Sequence, residues 1–311
     1  MFLKPRKPST DPRLRSLLQK AVRRGSGPLV ERVATRLNAI GDTAWLRSRA
    51  VVITCEECWP LAGSLSINRD LKSKLEILLR VTTAPKQKNA AGLGALAYAY
   101  SEGDKSMCDV VPELRTLKII SEALSRPSDF FAWTTSQSSS VRSTEIICNA
   151  EKYLPVTTWQ WDKACVLATA FLCTNTEVPA IYDIPSLHSA SDFPYWVALD
   201  KHTDEGKAAL RDVARSLGVN YRQLIWASFY CESTQVNRLL PSPWFEAERE
   251  WRLRRAGLSG EAAKELWERA RVPLQQRLEA DVGELEKILE SPILSNGAVL
   301  QYSLKSMQIE E

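Results

Sequence analysis

Histidine is almost absent from this chain of 311 residues, which holds only His188 and His202. That scarcity argues against a zinc centre built on paired histidine ligands, because a closed site needs about four donors close in space. Long apolar runs are absent too: no stretch reaches the ~18 residues that a membrane-crossing helix requires. The start of the chain, MFLKPRKPSTDPR, has no apolar core of the signal-peptide kind, so a cytoplasmic protein with no membrane partner is expected. No G-x-x-x-x-G-K-S/T sequence occurs, and Gly92-Leu93-Gly94 lacks the third glycine of a dinucleotide turn. Nucleotide hydrolysis is therefore not expected of this chain, and no cofactor is implied. A G-x-S-x-G elbow is missing as well. No segment alternates apolar and polar residues with the two-residue period of a half-buried strand, and no internal repeat is present.

Cysteine is present, seven residues at irregular spacing, which reads as reduced thiols and not as a disulfide framework. Cys55-Glu56-Glu57-Cys58 is a C-x-x-C without a second pair or a βαβ context, so it reads as part of a buried amphipathic helix and no metal is assigned to it.

What the chain has in quantity is helical periodicity. Leu14, Leu17, Leu18, Ala21 and Val22 form one stripe, broken by Gly25-Ser26-Gly27-Pro28. Leu29, Val30, Val33, Ala34, Leu37 and Ile40 form a second, closed by Gly41. Asp42 stands where an N-cap would start a third helix. Further helices are expected over 71–80, from Pro85 through an Ala/Gly-rich stretch, over 113–124, and over the almost wholly apolar 159–173. Thr203 and Asn220 stand at helix starts and Gly218 at a stop. Charged helices follow over 244–257, 259–270 and 274–289, with Pro273 separating the last two. The Ser/Thr-rich 134–144 reads as a loop or hinge, and 175–195, with three prolines and no period, as a boundary. The organisation expected is a basic arm over 1–12, a helical domain over 13–174 and a C-terminal helical region over 190–311. The fold class is all-α.

Charge is unevenly spread. Residues 1–24 hold eight basic groups and the single acid Asp11, either a solvated terminus or a phosphate contact. Asp200-x-His202-x-Asp204 gathers three candidate ligands or acid–base groups, but Thr203-Asp204-Glu205 also fits an ordinary helix start. Trp226, Phe229, Tyr230, Trp244, Phe245 and Trp251 crowd one region, either as core or as rings for base stacking.

Two segments resemble the C-terminal helical region of the replication-associated recombination AAA+ proteins, the RarA/MgsA and Werner-helicase-interacting group. The first, 17–59, carries Gly41-Asp42, Arg47, Arg49 and Cys55-Glu56-Glu57 where that family has a Gly-Asp helix stop, a basic helix and Ser-Glu-Asp. The second, Thr83-Ala84-Pro85-Lys86 with Asn89-Ala90-Ala91, is similar to the family's Ala-Thr-Ala-Pro-Lys-Ser-Asn-Ala. Val111-Pro112 and Leu114-Arg115 match a further Val-Pro…Leu-Arg segment. The likeness covers about residues 12–115. It departs from the family in lacking the ATPase core and lid, in having Cys-Glu-Glu for Ser-Glu-Asp, and in the Gln87-Lys88 insertion.

The resemblance implies a multi-helix bundle related to a clamp-loader-like collar, with additional C-terminal helices. It implies a non-catalytic role in DNA replication or repair, acting by homo-oligomerisation and by binding DNA or a partner. Arg23, Arg24, Lys86 and Lys88 are the expected phosphate contacts, and Gly41, Asp42, Glu56, Glu57, Ala84, Pro85, Lys86 and Asn89 the motif positions. Two alternatives stand beside it: a metal-dependent or acid–base enzyme using Asp200, His202 and Asp204, and a scaffold for an ATPase supplied in trans.

Overall fold

A computed structural model describes residues 10–65, 70–175, 177–186 and 188–292. Much of the expected basic arm and the last part of the C-terminal region lie outside the described residues. The described residues form thirteen α-helices and no strand, so the chain is an all-α, multi-helix protein.

Local chemistry explains most helix ends. Asp11 accepts from the Arg13 backbone N–H at 2.9 Å to start α1 (Pro12–Arg24), and Gly25 ends it at φ 86°. α2 (Gly27–Ala39) opens on Pro28, and Gly41 turns the chain at φ 87° into α3 (Thr43–Cys58). Asp42 makes no side-chain cap; both its oxygens are held at 2.6 Å by Arg15 of α1 instead. Asp70 caps α4 (Leu71–Thr83) through the Ser73 N–H at 2.8 Å.

The Ala/Gly helix, α5 (Asn89–Ser101), begins four residues later than Pro85. The intervening backbone is pinned elsewhere: the Lys86 N–H donates to the Arg238 carbonyl at 2.7 Å, and the Gln87 N–H to the Glu57 carbonyl at 2.8 Å. An extended segment held on both sides cannot also wind into a first helical turn.

α6 (Leu114–Ala123) ends as expected, but Pro127 opens a further helix, α7 (Pro127–Ser136). The Ser/Thr-rich stretch is mostly helical: it closes α7 and, with Ser140 capping at 3.0 Å, starts α8 (Val141–Tyr153). Serine and threonine there serve as caps and backbone partners, which composition alone does not distinguish from a loop. The apolar stretch forms α9 (Gln160–Asn175).

Thr203 caps α10 (Asp204–Leu217) at 3.1 Å and Gly218 stops it at φ 63°. Asn220 caps α11 (Tyr221–Ser228), which runs into a π-helical turn (Phe229–Ser233). α12 (Pro243–Arg255) follows. Pro273 does not divide the last stretch: α13 (Gly260–Glu290) runs on for 31 residues with the proline inside it.

α5 lies at the centre, packed by α3, α6, α9 and α12. A Cβ on Gly92 would lie 2.3 Å from the Trp244 carbonyl oxygen of α12, and one on Gly94 2.6 Å from the Cys165 Cα of α9. Only glycine permits helices to approach this closely on two sides. The apolar core continues without a break from Leu14 to Leu289, so the parts expected over 13–174 and 190–311 share one interior among the described residues.

Candidate functional site

α1 places three cations inward. Lys20, Arg23 and Arg24 are three and four residues apart, on the face that also carries Leu17 and Ala21, and all are buried. The Lys20 ammonium donates to Asp200 Oδ2 at 2.6 Å. Arg23 Nε donates to Glu57 Oε1 at 2.7 Å and its Nη1 to the Ser233 carbonyl at 2.7 Å. Arg24 Nη2 donates to Glu232 Oε1 at 2.7 Å. A burial signal was legible in the sequence: Arg24 stands seven residues after Leu17, on the apolar stripe.

The Thr-Ala-Pro-Lys segment meets this cluster from the other side. Lys88 Nζ lies 3.2 Å from Glu57 Oε2. The fully buried Lys86 ammonium donates to the carbonyls of Val81 at 2.7 Å, Thr82 at 3.1 Å and Ala84 at 2.8 Å, and so closes the C-terminus of α4, where the helix dipole is negative. Burial lowers Lys86 to about 8, with Glu57 opposing. Burial pushes Glu57 up, but Arg23 and Lys88 overcome it and hold the carboxyl at about 2. Gln87 accepts from the Trp59 indole at 2.6 Å and from the Asn89 N–H at 3.0 Å, and Asn89 accepts from the Trp244 N–H at 3.0 Å.

The expected phosphate contacts are thereby corrected. Arg23, Arg24, Lys86 and Lys88 are internal groups already hydrogen-bonded to protein partners, and none presents a free charge to a surface ligand. The motif positions serve as ties between helices. Asp42 joins α3 to α1. Glu56, through Arg49, is linked to Asp162 of α9. Glu57 gathers α1 and the 86–88 segment, and Asn89 reaches α12. Ala84 and Pro85 are buried in the turn, and Gly41 supplies its positive φ. Cys55 and Cys58 are buried thiols pushed up to about 12 by desolvation, chemically quiet at neutral pH.

The Asp200 triplet is only partly assembled. Asp200 Oδ1 sits 2.8 Å from His202 Nδ1, while Oδ2 is taken by Lys20. Desolvation lowers His202, with Asp200 opposing, although its ring is 55% exposed. With Nδ1 held by Asp200, Nε2 is the remaining ring nitrogen. Asp204 stands apart, 97% exposed and paired with Lys207. No group of three or more His, Cys, Asp or Glu suited to a metal ion occurs among the described residues.

Beside this dyad lies the aromatic crowd, joined by two cations and by Trp161 that the sequence did not connect with it. Lys201 Nζ lies 4.5 Å from the Trp226 ring centre and 4.3 Å from that of Phe229. Arg252 lies 5.0 Å from Trp226, 4.4 Å from Trp251 and 4.9 Å from Trp161. Trp226, Phe229, Trp161, Lys201 and Arg252 are half-buried, whereas Tyr230, Trp244, Phe245 and Trp251 are core. The aromatic crowd thus divides into an interior part and a rim. Asp200 also lines a cavity of about 10 Å³ with Glu232, Ser233, Trp196 and Trp267, which none of the rim residues lines.

No protein-family model matches the chain, and no curated protein or solved structure is significantly similar to it. No described helix is long and apolar enough to cross a membrane.

Proposed function

We propose that the chain is a non-catalytic helical protein of DNA metabolism, related to the C-terminal region of the RarA/MgsA and Werner-helicase-interacting AAA+ group. It acts by self-association and by binding DNA or a partner. The observation that carries this reading is the use made of the motif residues. Asp42, Glu57 and Asn89 join separate helices, Glu56 does so through Arg49, and Lys86 closes the end of α4, so the motif positions that carry the resemblance shape this part of the fold. Any DNA contact falls to residues other than the buried Arg23, Arg24, Lys86 and Lys88. Light scattering on the purified protein, together with DNA binding measured across salt concentrations, tests the reading. An oligomer whose DNA affinity falls steeply with salt is the expected result. A monomer that ignores DNA at low salt overturns it, and a co-purifying ATPase favours the scaffold form of the same role.

A second reading is favoured by one specific contact, the 2.8 Å approach of Asp200 to His202 Nδ1. A carboxylate in that position orients an imidazole for general acid–base work through Nε2. Metal analysis and His202→Ala test it: bound metal or a lost hydrolytic activity supports an enzyme, while no metal and unchanged behaviour removes it.

A further inference from the structure

Rings and cations alternate along one rim of the molecule. The order is Trp161 from α9, Arg252 from α12, Trp226 from α11, Lys201 from the turn before α10, then Phe229 and His202, whose rings lie 6.1 Å apart. Four separate elements contribute, so no single helix pattern announces the row in the sequence.

The charges behind it do not balance. Asp200 gives one oxygen to Lys20 and the other to His202. Glu248 accepts from the Tyr230 hydroxyl at 2.9 Å and from Arg252 at 3.3 Å. Lys20, Lys201 and Arg252 therefore face two carboxylates. Among the described residues no carboxylate lies within ion-pair distance of the Lys201 ammonium, which faces the two rings and feels Asp200 and Glu248 only from further away. A cation desolvated by rings and without a direct ion-pair partner is receptive to an anion from outside. Trp159, two residues before Trp161 in the chain, is 72% exposed.

We propose that this row binds single-stranded nucleic acid, with Lys201 taking a backbone phosphate and Trp159 stacking a base. The alternation of cation and ring favours a single strand over a duplex, because the bases of a single strand are free to stack while its phosphates track the charges. The proposal rests on the DNA-binding part of the function proposed above and names its site.

The test is fluorescence anisotropy of a short labelled oligothymidylate with the full chain, run beside a duplex of equal length. Binding with tryptophan quenching is expected. Lys201→Gln and Trp159→Ala should each weaken it about tenfold, and Lys201→Gln should also reduce the slope of log affinity against log salt by about 0.7. Lys201→Arg should retain affinity. Circular dichroism melting checks that the variants fold; Trp159→Ala, at an exposed ring, keeps the test valid should Lys201→Gln destabilise the core. Single-strand affinity unchanged in both Gln and Ala variants, or duplex binding without single-strand binding, overturns the row and leaves the broader DNA reading standing. No binding of either DNA at low salt overturns both. Displacement by polyglutamate or inorganic phosphate at matched charge overturns the nucleic-acid assignment.

Discussion

Glu57 shows how one residue can organise many others. Two cations, Arg23 and Lys88, converge on its carboxylate in a site with almost no solvent. Removing the acid leaves both cations buried and uncompensated, which is costlier than any gain from the pair itself. Glu57→Ala should lower the unfolding free energy by about 3–5 kcal/mol in urea titrations. The acid also sets a pH dependence. Its folded value of about 2 lies below the ordinary 4.5, so its stabilising contribution is complete above about 4.5 and is lost as pH falls from there towards 2. Urea midpoints should drop across that window, and Glu57→Gln should remove part of the drop. Lys86 belongs to the same scale: Lys86→Met strips a donor from three carbonyls at the end of α4 and should cost about 1–3 kcal/mol.

Among the elements, α5 and α13 make opposite uses of glycine. Gly92 and Gly94 let α12 and α9 approach the backbone of α5. Gly92→Ala sets a methyl against the Trp244 carbonyl and must push two helices apart, at a cost of about 1–3 kcal/mol or more. Gly283 of α13 has no atom within 4 Å of an added Cβ, so Gly283→Ala should stabilise by about 0.5–1 kcal/mol. Thermal melts of the two variants should move in opposite directions. The continuity of α13 through Pro273 shows the limit of punctuation rules. Proline costs a backbone hydrogen bond, but Leu266, Trp267, Ala270, Leu274 and Leu278 are buried on both sides of it, and that packing outweighs the break.

At the scale of the whole molecule, α1 binds groups more than 170 residues away: Lys20 pairs with Asp200, Arg23 donates to Ser233, and Arg24 pairs with Glu232. The 86–88 backbone likewise pairs with Arg238 and Leu240 and hydrogen-bonds to Ser242. Such long closures make the two halves interdependent. The chain should unfold in one cooperative transition, followed by coincident tryptophan fluorescence and circular dichroism. Fragments separated within 177–194 should each lack a stable fold, because each would expose charges whose partners lie on the other; a folded, cooperatively melting fragment would contradict this.

Most helices were legible in the sequence because their ends depend on neighbours within a few residues: Thr203 and Asn220 cap nearby N–H groups and Gly25 and Gly218 take a local positive φ, whereas α7 and α8, begun after Arg126-Pro127 and within the Ser/Thr-rich stretch, and the continuity of α13 through Pro273 were not. The all-α class followed from the same short-range periodicity. The fate of the charges was not legible. Lysine and arginine near the start of a chain look solvated, and only the fold reveals that Asp200, Glu57 and Glu232 arrive to neutralise Lys20, Arg23 and Arg24. The Thr-Ala-Pro-Lys turn likewise carried a recognisable pattern, but whether its lysines faced solvent or carbonyls depended on where 238–242 and Glu57 came to rest. Of the rim of rings and cations only Trp226 and Phe229 stood out together in the sequence, since its other members come from 161, 201–202 and 252. Local sequence fixes what depends on neighbouring bonds; burial of charge and the juxtaposition of distant side chains depend on long-range packing, which only the tertiary structure decides.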